Sequence, residues 1–72
     1  MQKLYTYDNG ITASVIDYGY GSDHGLYEIG LLDDRGAFIT DTDLIPDGVI
    51  GWLTWGQVCA LLRKIKALGG TQ

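Results

Sequence analysis

The chain has 72 residues, 46% of them hydrophobic, one proline and a formal net charge of −4. That composition excludes disorder and bounds the chain to one domain with a thin stability margin. No apolar run reaches the ~20 residues that span a bilayer. The Met1–Tyr7 segment lacks the apolar core of a signal peptide, and the single cysteine, Cys59, leaves no internal disulfide, so a cytoplasmic, reducing setting is expected. The charge is split along the chain. Residues 1–53 hold nine acids against Lys3 and Arg35, a net −7, whereas residues 54–72 hold Arg63, Lys64 and Lys66 and no acid, a net +3. Direct nucleic-acid binding wants a broad basic face, which an acidic sheet denies.

Lys3–Tyr7 predicts a short aromatic strand, with Tyr5 and Tyr7 on one face and Leu4 on the other. Asp8-Asn9-Gly10 follows as a hairpin signal, since Asn and Gly both tolerate positive φ. Ile11–Tyr18 is the return strand. Its Ile11, Ala13 and Val15 face is the cleaner candidate for contact with a helix, and Thr12, Ser14, Ile16 and Tyr18 lie opposite. The glycine-rich stretch Gly19–Gly25 then predicts a wide hairpin loop. Leu26–Leu32 is the third strand, with Tyr27, Ile29 and Leu31 on one face, and Asp33-Asp34-Arg35-Gly36 is a turn of type I character. It leads into Ala37–Thr40, expected as a short fourth strand at an edge.

Asp41–Gly48 breaks the pattern, and Pro46 forbids a central strand there. Val49, Ile50 and Trp52 are too apolar for a free linker and are expected to pack along the helix or the sheet edge. The helix itself is the strongest periodic signal in the chain. Val58, Leu61, Leu62, Ile65 and Leu68 make one apolar stripe at i, i+3, i+4, i+7 spacing. Thr54 and Gln57 are placed for a capping box with Leu53 and Val58 as a hydrophobic staple, and Gly69-Gly70 is the predicted stop. Lys64 and Lys66 in the last turns suit the negative end of the helix dipole. The pattern predicts an α+β fold: an antiparallel β-meander of three to four strands with one C-terminal α-helix packed on one face. It forms a single domain, 1–72, with a sheet over 3–40, a connecting loop over 41–53 and a helix over 54–68.

The chemistry-bearing motifs are sparse. Gly19-x-Gly21-x-x-x-Gly25 fails the dinucleotide fingerprint on spacing, and no helix follows it to meet a phosphate. Asp41, Asp43 and Asp47-Gly48 fail as a calcium loop, because Ile45 and Pro46 fall where a ligand and the loop glycine belong. One His (His24) and one Cys (Cys59) are too few for a zinc site, and Cys59 reads as packing on the helix flank. No nucleophile stands in obvious reach of His24. No catalytic residue, metal or cofactor is therefore predicted.

Trp52 and Trp55 flank the helix start. One is expected to fill the end of the core and the other to stand exposed as a binding anchor, because tryptophan and tyrosine are enriched at interface hot spots. A one-layer sheet leaves one face uncovered, so some of Tyr5, Tyr7, Tyr18, Tyr20 and Tyr27 must also be exposed. The candidate protein-binding surface is accordingly Tyr5, Tyr7, Asp17, Tyr18, Tyr20, Asp23, Glu28, Trp52 and Trp55. In size and style, a compact acidic β-meander with one C-terminal helix, the whole chain resembles small phage-encoded accessory proteins, among them anti-CRISPR proteins and related inhibitors of bacterial defence. The resemblance implies cytosolic action in a bacterium by binding a larger protein or ribonucleoprotein. The expected function is a small, acidic, non-enzymatic binding module. The alternative is a self-associating module, a homodimer formed through an edge strand or the Trp52/Trp55 end.

Overall fold

The first hairpin is a tight one: β1 (Gln2–Thr6) and β2 (Thr12–Ile16) pair antiparallel with Tyr5 opposite Ala13 and Leu4 opposite Ser14. A computed structural model describes residues 1–68 of the chain. Within it β3 (Tyr27–Leu32) pairs with β2, β4 (Val49–Leu53) pairs with β3, and the strand order is β1-β2-β3-β4. One helix, α1 (Trp55–Ala67), follows the strands and packs on one face of the sheet. The fold is α+β, a four-stranded antiparallel sheet with a C-terminal helix.

The period-2 pattern decides which face the helix covers. Ile11, Ala13 and Val15 from around β2, with Ile29 and Leu31 from β3, are buried beneath Val58 and Ile65 of α1. Leu61, Leu62 and Leu68 pack at the margin of the same core, so the helical stripe does the work its spacing predicts. The capping box is present in both directions: the Gln57 N–H donates to Thr54 Oγ1 at 3.2 Å, and the Thr54 N–H donates to Gln57 Oε1 at 2.8 Å. Leu53 and Val58, the staple pair, are both buried. Leu68 ends the helix in an extended conformation, and the glycine stop at 69–70 lies outside the described residues.

The fourth strand is a correction. Ala37–Thr40 makes only one bridge to β3, Phe38 opposite Leu32, before the chain leaves the sheet. The same lane beside β3 is then taken by Val49–Leu53, within the span 41–53 expected to be a connecting loop. Leu31 marks the handover: its carbonyl accepts from the Ile39 N–H at 2.9 Å, and its N–H donates to the Gly48 carbonyl at 2.8 Å. The reason for the detour is Ile45. It is 1% exposed and lies in the core, so the segment between Thr40 and Val49 folds inward to plug a space that sheet and helix alone leave open.

The hairpin at Asp8-Asn9-Gly10 also differs in detail. The Gly10 N–H donates to the Tyr7 carbonyl and the Tyr7 N–H to the Ile11 carbonyl, which makes a three-residue loop. Gly10 takes positive φ (84°) and Asn9 does not. Asn9 instead uses its side chain, accepting from the Ile11 N–H at 3.0 Å and donating across the molecule to the end of α1.

Candidate functional site

The feature that stands out on the surface is built where β4 breaks its pairing with β3. Tyr27 pairs with Leu53 and Ile29 with Ile50, so Gly51 and Trp52 together oppose Glu28. This is a β-bulge, a device that re-aims side chains and is common beside functional sites. Trp52 sits in it at φ 60°, the one non-glycine residue with positive φ among the described residues. For a bulky side chain that conformation is costly, on the order of 1–2 kcal/mol. Trp52 is nonetheless 58% exposed, so burial of its indole does not offset the strain.

The glycine-rich loop closes over this bulge on the face of the sheet opposite the helix. Its tip is one turn of 3-10 helix, Ser22–His24, and the loop is pinned through the backbone of Tyr20. The Tyr20 N–H donates to Glu28 Oε1 at 2.9 Å, and the Tyr20 carbonyl accepts from the Trp52 N–H at 3.1 Å. Two glycines make the approach possible. A Cβ on Gly51 would stand 2.5 Å from the Cβ of Tyr20, and one on Gly21 would stand 2.9 Å from the Cα of Trp52. Glycine is required at both positions because the two backbones touch there. The outcome is a small aromatic platform. The His24 and Trp52 rings stack obliquely, with centroids 5.3 Å apart, and the Tyr20 ring stands 69% exposed beside the bulge.

The predicted surface residues divide between this platform and the other side of the sheet. Tyr20 and Trp52 meet on the platform, Glu28 holds it together from beneath, and Asp23 lies in its 3-10 turn. Tyr18 is exposed just before the loop, and Asp17 accepts from the Met1 α-amino group at 2.6 Å. Tyr5 and Tyr7 lie elsewhere: they share the face of Ala13 and Ile11, half-buried against the core. Burial, with the neighbouring Tyr5 hydroxyl, pushes the Tyr7 phenol above its ordinary value of 10.0. Trp55 leans on Tyr27, with centroids 5.2 Å apart, on the helix side. Neither tryptophan fills the core end, which corrects the expectation that one would: both are exposed, and Leu53 takes the inward position between them. The sequence reading missed His24 as part of this surface. The clue was Gly51-Trp52, a glycine directly before a tryptophan in a strand, which is the composition of a bulge.

The rest of the uncovered face is plainer. Leu4, Thr6, Thr12, Leu32 and the Asp33–Gly36 turn line an open hollow of about 400 Å³, without a convergent set of polar groups. Phe38 lies over Gly30 on the same face and is 59% exposed. Among the described residues no group of three or more His, Cys, Asp or Glu side chains is placed to hold a metal ion. No described helix is long and apolar enough to cross a membrane. No protein-family model matches the chain, and no curated protein or solved structure matches it either.

Proposed function

We propose that the protein is a non-enzymatic binding module that recognises a larger protein through the Tyr20–His24–Trp52 platform. One observation carries this reading. Trp52 is held in a strained, left-handed conformation and left 58% exposed, its ring paired with that of His24, so little core burial offsets the strain. Exposed aromatic rings on a pinned backbone lose little entropy on binding, which is the property of an interface anchor. The surrounding charge narrows the partner. Residues 17–28 carry Asp17, Asp23 and Glu28 and no lysine or arginine. Although Asp17 is paired with the Met1 α-amino group, Asp23 and Glu28 leave the platform negative, which favours a basic groove on the partner and steers its approach. Within this reading the partner is a bacterial protein or ribonucleoprotein, and the module acts as an inhibitor in the manner of the phage-encoded proteins it resembles in size and style.

The experiment compares capture from bacterial lysate by the immobilised wild-type chain, Trp52→Gly and Tyr20→Ala. A partner retained by the wild type and lost by both variants, with circular dichroism unchanged, is the expected result. Asp23→Asn should then slow association with that partner and flatten its salt dependence, leaving dissociation nearly untouched. Identical captured sets for all three chains would sink the platform reading.

A further inference from the structure

The opposite edge of the sheet carries a second surface, and its backbone parity specifies an occupant. β1 is an edge strand of five residues with no proline, no bulge and Lys3 as its one charge. Of the devices that blunt natural edges, proline and a bulge are absent, and the lysine lies on the helix-side parity with Tyr5, away from the exposed Leu4. Two hydrogen bonds fix how it meets β2: the Tyr7 N–H donates to the Ile11 carbonyl at 2.9 Å, and the Asp17 N–H donates to the Met1 carbonyl at 3.4 Å. In an antiparallel ladder such pairs recur at every second residue, so Lys3 and Tyr5 also spend their backbone groups on β2. Gln2, Leu4 and Thr6 therefore turn their N–H and C=O groups outward. Their side chains lie on the uncovered face, where Gln2 Nε2 donates to Ser14 Oγ and Thr6 Oγ1 pairs with Thr12 Oγ1, leaving Leu4 59% exposed between them.

We propose that β1 pairs antiparallel with β1 of a second copy of this chain, about a two-fold axis at Leu4. Leu4 then stands opposite Leu4 of the other copy, Gln2 opposite Thr6, and Lys3 opposite Tyr5. Every outward backbone group of Gln2, Leu4 and Thr6 finds a partner, and the exposed leucines cover one another. A slip by one residue would set outward groups against inward ones. A slip by two residues in one direction sets Lys3 against its own copy, and in the other direction carries Gln2 past the strand end at Thr6. The register at Leu4 pairs each lysine with a tyrosine ring, a favourable cross-strand contact. β1 itself carries no carboxylate, so two copies of an acidic chain can meet along it without setting like charges opposite each other.

An edge contact of this size falls short of the ~1,200 Å² of a stable interface, so the dimer is weak and reversible. The joined sheet has eight strands in the order β4-β3-β2-β1-β1-β2-β3-β4. The two platforms at β4 then lie about 35 Å apart across seven strand spacings of roughly 4.8 Å, a bivalent display if the platform binds as proposed.

Sedimentation equilibrium across concentration tests the dimer directly. The wild type should rise from 7.9 kDa towards twice that mass. Leu4→Pro should stay monomeric yet folded, because the lost N–H points away from β2 and an edge strand tolerates proline at such a position. A second variant guards against misfolding: Leu4→Cys in a Cys59→Ala background should form a disulfide-linked dimer under mild oxidation. Hydrogen-bonded pairs hold their Cα atoms ~5.5 Å apart, within disulfide range. Lys3→Cys in the same background should not cross-link to itself. A constant monomer mass for the wild type, or equal cross-linking at positions 3 and 4, would overturn the proposal.

Discussion

The side-chain amide of Asn9 donates to the carbonyl oxygen of Ile65 at 2.9 Å, joining residues 56 positions apart in the chain. The same nitrogen lies 2.6 Å from the Leu68 carbonyl and 3.3 Å from that of Lys66. The first hairpin thus caps the C-terminal end of α1, adding a side-chain donor to the last carbonyls, of which that of Ile65 also accepts from the Leu68 N–H at 3.0 Å. Replacing Asn9 with Asp keeps the shape but swaps the donor for a second acceptor and sets a negative charge at the negative end of the dipole. Asn9→Asp should cost about 2 kcal/mol at neutral pH, and Asn9→Ala about 1 kcal/mol. Urea denaturation of the three chains checks the order; an Asp variant as stable as the wild type would show that the cap contributes nothing.

Asn9 also marks the boundary of what the sequence discloses. Its place in a turn is a local property and was legible, whereas its partner is set by how the hairpin and helix meet. The strands that pair through short turns followed from period-2 patterning, and α1 followed from its stripe and Thr54 cap. Ala37–Thr40 and Val49–Leu53 are both short and apolar, and nothing local says which will hold the lane beside β3. The core decides it: burying Ile45 pulls the chain out of the sheet after Phe38 and returns it at Val49. The platform was half legible. Tyr20, Asp23, Glu28 and Trp52 are legible as surface, but Tyr5 and Tyr7 are not separable from them, because alternation gives the helix-side face of β2 and not the register that sets Tyr5 opposite Ala13. The positive φ of Trp52 has no local cause in its own side chain, so sequence could not place it.

Thr54 carries a prediction at the other end of the helix. Its hydroxyl accepts from Gln57 N and its own N–H is satisfied by Gln57 Oε1. Thr54→Ala removes the first of these and should cost about 1 kcal/mol, a fall of roughly 4–8 °C in Tm for a domain this small. Gln57→Ala should lower Tm by less, since it leaves the Thr54 hydroxyl in place. An unchanged Tm for Thr54→Ala would mean that the first turn is held by packing of Leu53 alone.

Asp33 gives the fold a pH dependence of defined sign. Its Oδ1 accepts from the Ala37 N–H at 2.9 Å and the Arg35 N–H at 2.8 Å, and these bonds hold the carboxyl below its ordinary value of 3.8. A depressed carboxyl favours the fold above its unfolded pKa, and that contribution is lost as pH falls through the folded value. The stability gap between the wild type and Asp33→Ala should be constant above about pH 5 and close progressively in acid. Urea midpoints taken across that range would show it. A gap that persists unchanged well below 3.8 would mean that the turn is held by its backbone alone.

Trp52 allows the backbone and the ring to be separated. At an ordinary strand position alanine is favoured over glycine by about 0.5–1 kcal/mol, because glycine loses more conformational freedom on folding. At φ 60° the order should invert, since only glycine reaches that region without a Cβ clash. Trp52→Gly should therefore be more stable than Trp52→Ala by about 1 kcal/mol, with Trp52→Asn between them. All three variants lose the ring contact with His24, so that loss cancels in the comparison. Denaturant unfolding of the set gives the ranking. If alanine is the more stable, the bulge relaxes once the indole is gone, and Trp52 is itself what holds the strand in its strained form. If glycine is the more stable, the strain is imposed by the Gly21 and Gly51 contacts around Tyr20, and the fold maintains the platform whether or not the tryptophan is there to occupy it.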